Sequence, residues 1–509
     1  MRATTPSYIA EFPLRTSAAN KRVLAVRLEA ARHIYNACLG EALKRLALMR
    51  QSTDWQAARA LPKGTARTAL FKTTIARYDF TAASIQKHAE ACRDACWIGA
   101  YLGSHDTQTT SLRAFTAVQK HAFRKRGRPR FKGYGRLHSV EGKGDAVIRL
   151  RWQDDKPVVL WDGLVLPLLR DPRDRDGWQE QALSCRTKYV RVLRRSVHGR
   201  TRWFAQLVQE GLAPRKERRP VGEGVVGLDL GPSTIAAVSE TDAILERFCP
   251  TVADMDRIIR RLQRAMDRSR RATNPDAFSA DGTYRQGARI TVRSRRYHLL
   301  QARKADLERR LAAERKRAHG ELANRVLAQG NLINTEKISY RSFQKAFGRS
   351  VKRRAPSLFV SILKRKAASA GASVIEFATR TTRLSQFSHD TGAYVKKPLS
   401  QRWHMFADGS RVQRDLYSAW LARFVDRDRL DASQCCAHWA AAEPLLRRAA
   451  SGFNQSTSGA GFACPHVRQD VGADRPSKRA GHRAEAADAV AQARAAERTG
   501  PGTPRTPAL

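Results

Sequence analysis

The chain holds 509 residues, enough for roughly two to four domains with buried cores, which excludes a small stapled peptide. Hydrophobic residues make up 42% and aromatics 7%, as in a globular protein, but 94 Lys and Arg against 47 Asp and Glu leave a net charge of +47. Self-repulsion of that size calls for a polyanion, so nucleic acid is the expected partner and an ordinary enzyme of small metabolites is excluded.

The positive charge runs from Arg2 to Arg505 rather than gathering beside an apolar anchor. No signal-like apolar segment opens the chain, and no apolar run approaches the ~18 residues of a membrane span. A cytoplasmic protein without membrane contact is expected. The eight cysteines include no CxxC pair, and Cys92 and Cys96, one helical turn apart, read as small core residues.

Residues Tyr8 to Leu14 predict a strand, and Ala18 to Met49 a long helix with apolar residues such as Leu24, Leu28, Ile34, Leu39 and Leu43 at helical spacing. Helical character continues to about Phe123. Between Arg124 and Arg136 the chain becomes RKRGRPRFKGYGR, a basic loop with Phe131 and Tyr134 interleaved. Guanidinium groups pair with phosphates and aromatic rings stack on bases, so Arg124, Lys125, Arg126, Arg128, Arg130, Phe131, Lys132 and Tyr134 are candidate nucleic-acid contacts.

From Ala146 to about Glu210, short apolar stretches alternate with turn residues, which predicts a small β-domain. The Pro-bounded connector Pro214 to Pro220 marks a domain boundary. After it come strands at Gly224 to Leu230 and Thr234 to Ser239, helices at Ala253 to Arg268 and Leu299 to Leu327, and strands at Leu332 to Lys337 and Ser373 to Ala378, the pattern of an α/β region. From about Ser451 the composition predicts disorder.

The sharpest local motif is VVGLDLGPST, Val225 to Thr234, in which an apolar strand presents Asp229 between Gly227 and Gly231. A carboxylate inside a buried strand is costly unless paired or metal-bound, and flanking glycines let a metal or phosphate approach. The form G-[IL]-D-L-G opens both the phosphate hairpin of actin-like ATPases and the RuvC-type nuclease domain, two RNase H-like folds. Further carboxylates discriminate: Glu336 follows the apolar run of NLINTEKISY, and Asp415 begins an amphipathic helix in QRDLYSAWLA. Phosphodiester hydrolysis by two divalent ions ~3.5–4 Å apart needs several converging carboxylates, which Asp229, Glu336 and Asp415 can supply. The ATPase alternative lacks a second phosphate hairpin and an adenosine-binding Gly-rich segment.

Six segments occur in order: RHIYNACLGEALKR (Arg32 to Arg45), RGRPRFKG (Arg126 to Gly133), GLDLGPST (Gly227 to Thr234), EKISYRSFQKAFGRSVKRRAP (Glu336 to Pro356), KKPLSQRWH (Lys396 to His404) and QRDLYSAWLA (Gln413 to Ala422). Together they make the chain resemble the TnpB (OrfB) family of transposon-associated RNA-guided nucleases and the related compact type V CRISPR effectors. The resemblance implies an α+β multidomain protein: a helical and small β-barrel-like N-terminal lobe, then an RNase H-like RuvC α/β nuclease lobe. It divides the chain into a first wedge strand (1–15), a helical recognition domain (16–123), a wedge β-domain (124–218), a RuvC-like domain (219–430) with a helical insertion at about 255–327, and a tail (431–509).

The implied function is RNA-guided DNA endonuclease, with guide RNA and target DNA as partners, monomer or homodimer left open. Asp229, Glu336 and Asp415 are implied as its catalytic and metal-binding carboxylates for Mg2+ or Mn2+. The alternative is an RNA-guided DNA-binding protein, repressor-like, with little or no cleavage. Lys345, Arg349, Lys352 and Arg402 are further candidate nucleic-acid contacts beside the acids. Relatives usually carry a four-cysteine zinc knuckle before the last Asp. Here its positions, at about 384–410, hold Ser388, Thr391, Phe406 and Asp408. Tetrahedral structural zinc needs thiolate or imidazole ligands, so structural zinc is expected to be absent and the knuckle looser. His389 and His404 read as loop residues, and Cys435, Cys436 and His438 as the edge of a disordered tail.

Overall fold

The computed structural model describes residues 5–458 apart from 216, 217, 291 and 399. The chain to Ser451 forms one compact unit, and most of a second, Gly452–Leu509, lies outside the described residues, as does most of the segment read as disordered.

Strand β1 (Ser7–Pro13) buries Tyr8, Ala10 and Phe12 and exposes the residues between, the period-two signature of a half-buried strand. The Ser17 hydroxyl then accepts from the Asn20 amide at 3.0 Å and starts α1 (Ala18–Gln51), whose buried stripe includes Leu24, Leu28, Ile34 and Leu39. Shorter helices follow: α2 (Thr53–Ala60), α3 (Thr65–Arg77), α4 (Ala82–Asp94) and α5 (Ser104–Ala122). Cys92 is half-buried, but Cys96 is exposed, because the helix carrying Cys92 ends at Asp94.

The β-region contains β2 (Ser139–Glu141), β3 (Ile148–Gln153), β4 (Lys156–Trp161), β5 (Leu164–Pro167), α6 (Trp178–Ser184), β6 (Thr187–Val197) and β7 (Arg200–Glu210). It corrects the barrel-like expectation, since two open antiparallel sheets form, β1-β7-β6-β2 and β3-β4-β5. Strand β2 is only three residues long, and a Cβ on the following Gly142 would lie 3.0 Å from Ile148 at the start of β3. A single bridge, Leu14 to Leu168, joins the sheets, and helices cover the shared core instead. At its centre the Trp161 indole donates to Asp106 at 3.0 Å, and Arg27 donates to the Trp161 carbonyl at 2.6 Å.

The second core is built on β8 (Val225–Leu230), β9 (Thr234–Val238), β10 (Ala243–Arg247), α7 (Val252–Thr273), α8 (Arg295–Gln329), β11 (Leu332–Glu336), α9 (Tyr340–Arg354), α10 (Pro356–Ser369) and β12 (Ser373–Phe377). The sheet order is β10-β9-β8-β11-β12, with β8, β11 and β12 parallel and β9 antiparallel to both neighbours. Val226, Leu228, Leu230 and Ile333 share one core with Leu322 and Val326 of α8 and Phe359 and Leu363 of α10. The opposite face receives the later helix Arg414–Ala422.

The described residues close with α11 (Thr379–Thr382), the hairpin β13 (Trp403–Met405) and β14 (Arg411–Gln413), α12 (Arg414–Ala422), β15 (Val425–Asp426), β16 (Arg429–Leu430) and α13 (Ala432–Ser458). Two expectations change here. Every residue of α12 from Asp415 to Ala422 is buried, so this helix is wrapped on all sides rather than amphipathic. The expected tail begins as a helix, α13, which buries Cys435, Ala442, Leu446 and Ala450, a helical spacing hidden in an Ala-rich composition. No helix among the described residues is long and apolar enough to cross a membrane.

Candidate carboxylate site and nucleic-acid interface

Strand periodicity decides which side chains meet. In β8, Val226, Leu228 and Leu230 take the α8–α10 face, which leaves Gly227 and Asp229 on the α12 face. In β11, Ile333 lies with that same core, while the Asn334 amide donates to the Ala422 and Val425 carbonyls at 3.2 and 3.1 Å. The parallel register pairs Asn334 with Gly227 and Thr335 with Leu228, which sets Glu336 level with Asp229 at the C-terminal ends of both strands. In open α/β sheets ligands bind at that end.

Asp415 reaches the same place from α12. Gln413 caps the helix, its side chain accepting from the Leu416 amide at 2.8 Å, and the positive end of the helix favours a carboxylate in the first turn. The Asp415 carboxylate accepts from the Thr234 hydroxyl at 3.3 Å and lies 3.7 Å from Arg414 Nε. Close approach of α12 depends on Gly227, where a Cβ would stand 1.9 Å from the Ala419 carbonyl oxygen.

The electrostatics match crowded acids. Burial, then the charges of Asp415 and Glu336, hold the Asp229 carboxyl well above the usual range, against the opposing pull of Arg414 and Arg402. Burial alone pushes Glu336 up to about 7. Among the described residues, no group of three or more His, Cys, Asp or Glu side chains is arranged to hold a metal ion. An all-oxygen pair such as Asp229 with Asp415 suits Mg2+, which takes one or two carboxylates and completes its shell with water and substrate phosphate.

The basic segment 124–136 is irregular and carries Phe131 and Tyr134 exposed at 59% and 85%. It is clipped to α1. The Asn36 side chain accepts from the Lys132 amide and donates to the Lys132 carbonyl, both at 2.8 Å, and Glu29 accepts from the Gly135 amide at 2.8 Å. Phe131 lies 3.7 Å from the position a Cβ on Gly40 would take. Two of the ordered motifs, around Arg32 to Arg45 and Arg126 to Gly133, are thus two halves of one backbone clip. Of the candidate contacts, Arg124, Lys125, Arg126, Arg128 and Arg130 are exposed, and Lys132 is partly covered over the Tyr35 ring.

Beyond Glu336 the chain forms α9, a helix kinked at Phe347 and without a buried residue. The Ser350 hydroxyl donates to the Pro232 carbonyl at 2.7 Å, which ties α9 to the turn after Asp229. Lys345, Arg349 and Lys352 are exposed there, whereas Arg353 pairs with Asp256 at 2.6 Å and Arg354 donates to the Phe248 carbonyl, so these last two are structural ties. Arg402 is exposed, and its charge acts on Asp229.

The expected looser knuckle is corrected. Ser388 donates to Asp390 at 2.5 Å, and the Ala407 amide donates to the same carboxylate at 2.8 Å. His404 is fully buried between Lys397, which donates to Nδ1, and Ser388 at 2.8 Å from Nε2. Burial, then the Lys397 charge, drives its pKa down to about 4, so the ring is neutral. Phe406 packs on His389, His404, Tyr417 and Trp439 with centroids 4.7–5.4 Å apart. Asp408 closes the turn onto the Ser410 amide, and Thr391 follows as a solvent-facing turn residue. The histidines are therefore core residues, and Trp439 and Cys436 of α13 complete the cluster, with Cys436 donating to the His389 carbonyl at 3.3 Å.

Sequence reasoning missed Arg414, Thr234 and Asn334. The first two adjoin motif residues, and their neighbourhood was the available signal. Asn334 is a polar residue in an apolar strand, a mark of a buried partner.

No family model matches the chain, and neither does any curated protein. Among solved structures, 31 chains match. The cryo-EM structure of the Cas12f1–sgRNA–target DNA complex aligns with 84% of this chain and 100% of that chain at 10% identity and a TM-score of 0.44. The cryo-EM structure of the CRISPR-Cas12f ternary complex aligns with 81% and 83% at 11% identity and 0.27, and the mini-RNA-guided endonuclease CRISPR-Cas_phi3 with 52% and 56% at 12% and 0.30.

Proposed function

We propose that this protein is an RNA-guided DNA endonuclease of the TnpB and compact type V kind, cutting phosphodiester bonds at Asp229, Glu336 and Asp415. The observation that supports the reading is Asp229, buried at one end of a mixed sheet, held well above its ordinary range by burial and by the charges of Asp415 and Glu336. Crowded like charges in so basic a chain suit a cation shared with a phosphodiester.

Asp229 and Asp415, with Glu336 beside them, would hold Mg2+ or Mn2+. The bound ion would supply activation of water and stabilisation of the leaving oxygen. The chain's own groups do the rest. Thr234 orients the Asp415 carboxylate, Arg414 offsets its charge, and Arg402 and the exposed cations of α9 hold the backbone of a separated strand. The segment 124–136 binds guide RNA, while base pairing reads the target sequence. Hydrogen bonds and ring packing hold the knuckle region together.

The test is to purify the protein expressed with its native flanking DNA, sequence the RNA that accompanies it, and assay Mg2+-dependent cutting of a matching supercoiled plasmid. A single structured RNA with a variable end, and cutting lost in Asp229→Ala, is the expected result. A defined RNA without cutting establishes the repressor-like alternative, and random RNA or none overturns guidance.

A further inference from the structure

A cavity of about 1050 Å3 opens between α2, α3 and the C-terminal end of α5, far in sequence from the carboxylates. Its floor is apolar: Trp55, Phe71 and Ile75, with Trp55 and Phe71 edge to face at 4.7 Å. Its rim carries Arg50, Arg59, Arg67, Lys72, Arg124 and Arg126, and no Asp or Glu lines it. The Arg67 guanidinium lies 5.5 Å over the Phe71 ring, and Phe123 stands 62% exposed at the mouth.

A purely solvated basic face would spread its charge over polar surface, and a purely structural hollow would be filled or rimmed by both signs. Aromatic faces beneath guanidinium groups instead suit a group that is flat and apolar in its body and anionic at its edge. A nucleotide has that chemistry, since its base stacks on rings or on guanidinium planes while its phosphate pairs with arginine.

The cavity is also continuous with the basic segment. After α5 the amides of Arg124, Lys125 and Arg126 donate back to the His121 and Lys120 carbonyls, and Arg124 takes a left-handed φ of +54°. This curl turns Arg124 and Arg126 into the cavity wall before the chain runs on to Phe131 and Tyr134. We propose that this cavity seats one unstacked base of an RNA strand whose phosphates follow residues 124–136, a site that rests on the RNA-binding reading and adds base capture to it.

The experiment uses the full-length protein freed of nucleic acid and a single-stranded RNA of about 12 nucleotides carrying one 4-thiouridine, within the site sizes of such grooves. After irradiation, the crosslinked peptides are mapped by mass spectrometry, and affinity is measured by anisotropy. Crosslinks on the peptides holding Trp55, Phe71 or Phe123 are expected, together with about 5- to 150-fold weaker binding in Phe123→Ala, whose exposed ring is dispensable for folding. A fully paired RNA duplex should compete poorly. Crosslinks confined to 124–136, unchanged affinity in Phe123→Ala, or equal competition by the duplex overturns the cavity while sparing RNA binding. Equal binding of the same DNA sequence overturns the choice of RNA, and no crosslink anywhere overturns the RNA-binding reading itself.

Discussion

Replacing Gly227 by Ala tests the packing that brings Asp415 to Asp229. The added Cβ would meet the Ala419 carbonyl oxygen at 1.9 Å, the Arg423 amide nitrogen at 2.9 Å and the Ala422 methyl at 3.0 Å. The first two are backbone of the buried helix α12 and cannot swing aside. Restoring ordinary contact, from 1.9 to 3.4 Å, makes α12 retreat from β8 by about 1.5 Å. Overpacking of this kind costs about 1–3 kcal/mol, and collision with backbone belongs at the upper end. For the compact unit Met1–Ser451, with about 2.1 cal/mol/K of unfolding entropy per residue, about 3 kcal/mol lowers Tm by roughly 3 °C. Asp415 travels with the helix, and a misplacement of about 1 Å at a reacting centre costs on the order of 100-fold in rate. Thermal melting by circular dichroism and plasmid cutting should therefore fall together. Gly348→Ala, where a Cβ meets nothing within 4 Å, should change stability by no more than about 1 kcal/mol. A Gly227→Ala protein that melts with the wild type and cuts at full rate would refute the argument.

Three further outcomes follow from the same geometry. Burial raises Glu336 from 4.5 to about 7, so in the metal-free protein its contribution to stability is complete below pH 4.5 and is lost as pH rises to about 7; in EDTA, Glu336→Gln should flatten the decline of Tm across that window, and parallel profiles would remove burial as the cause. Asn36→Ala leaves the Lys132 amide without its side-chain partner and the Lys132 carbonyl with Arg32 alone at 3.2 Å, at about 1–3 kcal/mol of local stability, so trypsin should cut the 124–136 segment faster while the Tm of the rest holds; an unchanged cutting rate would mean the clip is not what orders the segment. Tyr417→Phe removes the hydroxyl that accepts from the His389 amide and pairs with its ring at 2.9 Å, and should lower the unfolding free energy read from urea denaturation by about 1–3 kcal/mol, an effect absent if the ring packing alone holds the knuckle.

Much of the molecule is legible in the residue order. Period-two burial in Tyr8, Ala10 and Phe12, the helical stripe of Ala18–Gln51, and the alternation of Val226, Leu228 and Leu230 against Asp229 are local properties, because backbone geometry alone decides which residues share a face. The three acids were visible for the same reason: a carboxylate in or after an apolar run is conspicuous. Other features depend on partners that spacing does not reveal. The burial of α12 on every side requires the glycine opposite Ala419, and the kinked helix at Tyr340–Arg354 draws no core residues that a periodicity would expose. Two open sheets form in place of a barrel, a pairing between strands distant in the chain that local spacing does not reveal. The knuckle shows the difference most plainly. The residue order determined that thiolates are missing at Ser388, Thr391, Phe406 and Asp408, but only the tertiary structure decided what takes their place. A neutral, buried His404 and the Trp439 ring, brought from α13, fill the space by desolvation and ring packing, both of which depend on neighbours distant in the chain.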